Sequence, residues 1–411
     1  LKNRIITILA LLGICAYLLI EAEGRGDFFI YLSASHDLFR GKDIYSELYA
    51  QWYHYYYSLF FAILIYPLNY LPYYPAKVLW LAFNAFFLYR IIRIIMSFFD
   101  VTSLTMKQKY ILLALCMLVG LRFILNNFHL SQATILILYL SLEGVKQIDS
   151  GNKIAGAFFI AFAINIKLLG LVLLPYLVYR NEIKAFASVI LFYTMMLFIP
   201  VLVIGVDRNV ALLGSWWELV NPMNTKNILD VDETSFHSLS TLLATLLVAH
   251  VPDSHALPIR RNIADMSVTQ LTYILNTVRL MLILFSLYFF RTMPFRPAKN
   301  RLHRYWEVSY LLLLVPLIFP HQQCYAFLFI VPAECYVLYY LFVNRNLMTA
   351  ARFKLITGAM VVIYLLGNLS LLLGEFQEYY DHFKIVTYGA LSLIPVLAIC
   401  KPNLEKEQLR A

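Results

Sequence analysis

Apolar residues arrive in this chain in long runs, many of them near the length that crosses a bilayer: 5–20, 57–72, 77–95, 110–121, 130–145, 154–179, 185–206, 238–250, 269–290, 306–319, 323–343, 355–373 and 383–400. A helical span takes about 20 mostly apolar residues, so a chain of this length has a ceiling of about 20 crossings, which loops lower. Charged residues make up 14% of the 411, against about 25% in a soluble domain, too few to cover a water-facing surface. A mean hydropathy of +0.70 agrees. With Gly 15, Pro 15 and Cys 5, the composition also excludes a disordered chain, a collagen-like fibre and a disulfide scaffold. The sequence predicts an all-α polytopic membrane protein.

The net charge of +9 invites a nucleic-acid reading, but position explains it better. Arg291, Arg296, Lys299, Arg301 and Arg304 share one loop with no acid, which marks that loop as cytoplasmic. Counting onward puts His321, Gln322 and Gln323 outside, Arg345, Arg352 and Lys354 inside, Glu375, Glu378 and Asp381 outside, and a tail from Lys401 inside. No nucleic acid is expected as a partner. The five cysteines show no C-x-x-C pair and read as small buried hydrophobes. The start, Leu1-Lys2-Asn3-Arg4 before an apolar run, resembles a signal peptide, yet Glu21-Ala22-Glu23-Gly24 is a poor cleavage site; a retained first helix is expected.

Counting backward leaves 207–268 outside as one segment, whose run 238–250 is too short to span and reads as a helix at the interface or dipping partway in. The first half allows two schemes. Plain alternation puts Arg90, Arg93, Lys107 and Lys109 outside, against the charge rule; the other scheme makes 57–72 a partial element and breaks 154–179 at Lys167. Both give about 12 crossings, both ends inside and 21–55 outside, as one membrane domain over 1–411. The tyrosines at 53, 55, 56 and 57 and at 70, 73 and 74 read as interfacial belts, with saccharide stacking the other use of such rings.

Polar residues at membrane depth carry the chemistry. Asp27 follows Gly24-Arg25-Gly26 just outside the first run and shares a helical face with Tyr31 and Ala34; it is either a helix cap or a reactive acid. Arg122, Asn126, Asn127, His129, Ser131 and Gln132 crowd the gap between two runs, as a solvated loop or a polar cavity suited to phosphate oxygens. Lys167, with Asn165 beside it, sits in the middle of 154–179, where it lines a cavity, pairs, or marks a broken helix able to hold an anion. The turn Pro320-His321-Gln322-Gln323 offers a histidine that is a phosphate ligand, a general acid or a turn residue. An acid near cationic and amide donors suits a reaction in which a base activates a hydroxyl while a lipid phosphate departs.

The chain resembles glycosyltransferase family 87, membrane transferases of the GT-C fold that use polyprenyl-phosphate sugars. The resemblance rests on Asp27-Phe28, Tyr31, Ala34 and Gly41 to Tyr45; on Pro67, Trp80 and Asn84; on Leu130-Ser131-Gln132-Ala133; on Lys167; on Ser235-Phe236-His237-Ser238-Leu239; and on His321. It departs from the family pattern at Ser131, where Gly is usual, at Leu168, where Pro often stands, and at Phe236. The resemblance implies a GT-C-type bundle of about 12 helices, with short amphipathic helices in its outer loops. It implies inverting, mannosyltransferase-like transfer of a hexose or pentose from a polyprenyl-phosphate donor to a lipid- or glycan-linked hydroxyl, on the outer face of a bacterial plasma membrane. In that scheme Asp27 is the general base, Lys167, His321 and Arg122 hold the donor phosphate, and Tyr31, Tyr45, Asn126, Gln132 and Gln322 bind substrate. No cofactor, nucleotide or metal is called for. The alternative is a multi-span transporter or lipid-linked glycan flippase, which would carry internal repeats and paired ionisable residues at mid-membrane.

Overall fold

A computed structural model describes residues 2–49, 53–222, 224–229, 231, 235–249, 251 and 256–402, so parts of the outer segments and the tail beyond Pro402 lie outside the described residues. The described chain is helical, with isolated bridges at Tyr49–Tyr53 and Phe236–Gln323. In order come α1 (Lys2–Glu21), α2 (Phe28–Phe39), α3 (Leu59–Ile65), α4 (Tyr73–Phe98), α5 (Met106–Val119), α6 (Leu121–His129) and α7 (Thr134–Asp149). There follow α8 (Lys153–Ile166), α9 (Leu173–Tyr179), α10 (Ile183–Phe198), α11 (Val201–Ile204), α12 (Val206–Val220), α13 (Thr225–Leu229) and α14 (Leu239–Leu247). The chain ends with α15 (Val268–Phe290), α16 (Arg301–Ile318), α17 (Val331–Asn344), α18 (Ala350–Asn368), α19 (Ser370–Leu373), α20 (Gln377–His382) and α21 (Ile385–Ile399).

Among the described residues, 5 helices are long and apolar enough to cross a membrane, or up to 7 if each of two bent pairs counts as one span. The count of about 12 is not reached on that criterion, because several of the apolar runs are broken or short. Run 154–179 is not one helix: α8 stops at Ile166, Lys167 takes extended backbone (φ −152, ψ 137), and a 3-10 turn follows from Leu168. Run 57–72 folds as the seven-residue α3 and a 3-10 turn containing Pro67. The run at 238–250 forms the nine-residue α14, capped by Ser238.

The chain divides into two compact units, interleaved in sequence: residues 1–93, 125–170 and 184–220, and residues 94–124, 171–183 and 221–411. The hairpin of α7 and α8 anchors the first unit. A Cβ at Gly144 would lie 2.6 Å from Ile160 Cγ1 and 2.9 Å from the Gly156 carbonyl, so glycine there lets two backbones nearly touch. The hairpin turns at 150–152 and thereby returns the end of α8, at Lys167, alongside the start of α7, at Gln132. In the second unit α16 is buried from His303 to Leu317 and α17 from Val331 to Leu341. Trp306 stacks on Phe289 and donates from Nε1 to the Leu397 carbonyl at 3.0 Å. At one end of α16 the Arg180 guanidinium and the Tyr176 hydroxyl both donate to Glu307, at 2.8 and 2.9 Å, while Arg304 donates to Glu182 at 3.0 Å. Arg304, which the sequence placed in a basic loop, is thus paired and buried.

Candidate active site

Asp27 owes its place to a turn only glycine allows. Gly26 has φ +59, and a Cβ there would lie 2.8 Å from the Leu130 carbonyl. That same carbonyl accepts the Asp27 N–H at 2.8 Å. Asp27 stands at the N-cap position of α2, yet its side chain makes no capping hydrogen bond. Its Oδ2 instead accepts from Gln132 Nε2 at 2.5 Å. Gln132 is wholly buried, and its Oε1 accepts from the Tyr57 hydroxyl at 3.1 Å and the Tyr31 hydroxyl at 3.3 Å. The two phenol oxygens lie 2.8 Å apart. Ser131 reaches this arrangement at φ 56, a left-handed conformation that costs a residue with a side chain more than it costs glycine.

The break after α8 brings in the cation. Lys167 Nζ lies 5.6 Å from the Tyr57 ring centroid, a cation–π contact, and its charge is felt at Asp27. Ser58, which caps α3, donates from Oγ to Asn165 Oδ1 at 2.8 Å and from its backbone N–H to the Ile166 carbonyl at 3.3 Å. Half-buried Asp27 has its pKa pushed up to about 6, chiefly by burial, which the Gln132 hydrogen bond and the Lys167 charge partly offset. A carboxyl so placed is ionised at neutral pH yet basic enough to accept a proton. Of the first unit's expected site residues, Asp27, Tyr31, Gln132 and Lys167 therefore gather in one place. Tyr45 is buried beside them and donates to the Tyr57 carbonyl at 3.0 Å. Asn126 lies on α6, with its Oδ1 unmatched by any hydrogen bond among the described residues.

The second unit holds a polar cluster of its own. Buried Arg122 donates to the Gly367 carbonyl at 3.0 Å, lies 4.6 Å from the Tyr380 ring centroid and faces Asp381 at 3.8 Å. His237 Nε2 is 3.3 Å from the same Asp381 oxygen. Burial pushes the His237 pKa down to about 4, against the pull of Asp381, so the ring is neutral at physiological pH. The His237 backbone N–H donates to the Gln322 carbonyl at 2.8 Å, and Gln322 Nε2 folds back on the Pro320 carbonyl at 2.5 Å. His321, at φ 56, meets Asn227 Oδ1 through Nε2 at 2.7 Å and packs on the Phe236 ring. The charge of Arg122 is therefore met within the protein by Asp381 and a carbonyl.

Tyr57 and Asp381 belong to these arrangements, though the sequence gives no sign of it. Tyr57 falls inside a tyrosine run that reads as an interfacial belt, and Asp381 among the acids of an outer loop. Among the described residues, no group of three or more His, Cys, Asp or Glu side chains could hold a metal ion.

The described chain is helical and strongly apolar, with several helices long enough to span a bilayer, as a multi-pass membrane protein requires, and its first unit sets an acid among amide, phenol and ammonium groups. The family model of glycosyltransferase family 87 matches residues 55–320, and the chain belongs to that family. The matched stretch includes Gln132 and Lys167, starts after Asp27 and stops one residue before His321. No curated protein and no solved structure matches the chain.

Proposed function

We propose that the protein transfers a hexose or pentose, with inversion, from a polyprenyl-phosphate donor to a lipid- or glycan-linked hydroxyl on the outer face of a bacterial plasma membrane. Family membership supports glycosyl transfer and displaces the transporter and flippase alternative. The observation that carries the chemistry is Asp27, held by Gln132 through one oxygen and kept basic by burial. In the proposed step the acceptor hydroxyl oxygen attacks the anomeric carbon on the face opposite the phosphate. Its proton passes to the Asp27 carboxylate. The bond from the anomeric carbon to the phosphate oxygen breaks, and its electron pair leaves with polyprenyl phosphate. The Lys167 ammonium stabilises the charge that grows on that leaving group. Tyr31, Tyr57 and Gln132 fix the carboxylate, since small errors of placement are costly to such a step. In the second unit, His321 and Gln322 are proposed as substrate contacts in their own right, and Arg122 as the residue that holds its cluster together.

The test is donor and product chemistry. Purified protein in nanodiscs should release polyprenyl phosphate from a polyprenyl-phosphate sugar and form a glycoside of inverted anomeric configuration, read by NMR. Direct use of a nucleotide sugar, or retained configuration, would contradict the proposal.

A further inference from the structure

Lys77 lies in the second turn of α4, and its side chain is fully buried. Removing an ammonium from water costs several kcal/mol unless partners replace the solvent. Its partners are backbone carbonyls: Nζ donates to Glu21 O at 2.8 Å and to Gly24 O at 2.6 Å. Glu21 is the last residue of α1, where unsatisfied carbonyls gather and the helix dipole favours a cation. Lys77 is one rung of a ladder. Tyr73 and Trp80 share its face of α4 at helical spacing. The Tyr73 hydroxyl donates to the Arg25 carbonyl, and Trp80 Nε1 to the Ser131 carbonyl at 2.9 Å, while the Trp80 ring stacks on Phe28. One helix face thus grips, by their carbonyls, both turns that meet at Asp27: 21–27, which carries the acid, and 128–132, which carries Gln132. A leucine or methionine would fill the same volume without the cost of a buried charge, but it would leave two carbonyls of the acid's turn without a donor.

We infer that Lys77 is a positioning residue for glycosyl transfer, fixing the Asp27 turn from behind rather than touching substrate. The inference rests on Asp27 being the base. If Lys77 acts through Asp27, removing it should slow turnover without weakening donor binding, and should cost little once Asp27 is already disabled.

The experiment compares Lys77→Met, Lys77→Arg, Asp27→Asn and the double variant Asp27→Asn/Lys77→Met, with polyprenyl-phosphate sugar as donor and a thermal-shift readout of folding. Lys77→Met should lower kcat at least 10-fold with donor KM within about 2-fold of wild type. Lys77→Arg, which keeps the charge and the donors, should recover most of the loss. The double variant should transfer no more slowly than Asp27→Asn alone. If Lys77→Met does not accumulate, Lys77→Gln replaces it with the same readouts. Full turnover in Lys77→Met, or a further 10-fold loss in the double variant, would overturn the positioning role. An inactive Asp27→Asn beside a fully active Lys77→Met would sink the role of Lys77 alone; full transfer by Asp27→Asn would sink the base and this inference together.

Discussion

Asp27 faces two opposed demands, and pH separates them. Its folded pKa of about 6 lies above the ordinary value of 3.8, so the folded protein keeps this proton in a range where the unfolded chain has lost it. The sign follows. The contribution of Asp27 to stability is present below about 3.8 and is lost as pH rises through about 6, while the ionised form that the proposed base role needs appears over that same range. The ratio kcat/KM, which reports the free enzyme, should therefore climb with pH through about 6 and level off above it, with a slope of one proton. Asp27→Asn should melt no lower than wild type at neutral pH, because it removes a buried charge and keeps the shape. Lys167→Ala makes a different prediction. A charge-assisted hydrogen bond to phosphate is worth roughly 1.5–3 kcal/mol, or about 10- to 150-fold in donor turnover. Single-turnover rates with a polyprenyl-phosphate sugar would measure it, and an unchanged rate would return Lys167 to a structural role, its cation–π contact with Tyr57 included.

The α7–α8 hairpin is the element that sets the distance between Gln132 and Lys167, since both stand at its open end. Its contact at Gly144 and Gly156 has no spare room: a Cβ at Gly156 would come within 2.6 Å of the Gly144 carbonyl. Gly144→Ala should cost about 1–3 kcal/mol and lower both thermal stability and transfer. Gly214→Ala is the contrast. Nothing lies within 4 Å of a Cβ there, on an exposed face of α12, so stability should be unchanged or higher by about 0.5–1 kcal/mol. Equal losses in the two variants would refute the tight crossing. Elements of this kind were partly legible in the sequence. A lysine in mid-span made a break after α8 one of three readings, beside a cavity and an ion pair, because hydrocarbon does not tolerate the charge without a purpose. The hairpin's close contact was not legible, because glycines in apolar runs look alike until a partner helix is placed against them. Gln132 was read as a substrate ligand; only the fold shows its amide bridging Asp27 and two tyrosines, residues up to 105 positions apart in sequence. The Arg122–Asp381 pairing was hidden for the same reason, with more than 250 residues between its members.

For the whole molecule, charge distribution makes the prediction. The 291–304 loop should face the cytoplasm and 21–55 the outside, the side on which the proposed chemistry takes place. In a background lacking exposed Cys15, an impermeant thiol reagent should label Ser46→Cys and spare Lys299→Cys in intact cells; the reverse pattern would invert the topology. Both reporter positions are exposed, so failure to label reflects the side of the membrane and not burial. Composition alone settled the membrane class, because a chain so poor in charge has no other way to cover its surface. The number of crossings was less legible, since bent and broken helices do not announce themselves in hydropathy. At the heart of the proposed chemistry is one carboxylate, that of Asp27, taking the proton of the acceptor hydroxyl. Its most direct test is sugar transfer by Asp27→Asn from a polyprenyl-phosphate donor in nanodiscs, at pH 7.5, with folding checked by thermal shift. A well-folded variant at least about 100-fold slower than wild type is the predicted result, in keeping with the loss of a general base. Near-normal transfer by the folded variant would contradict it.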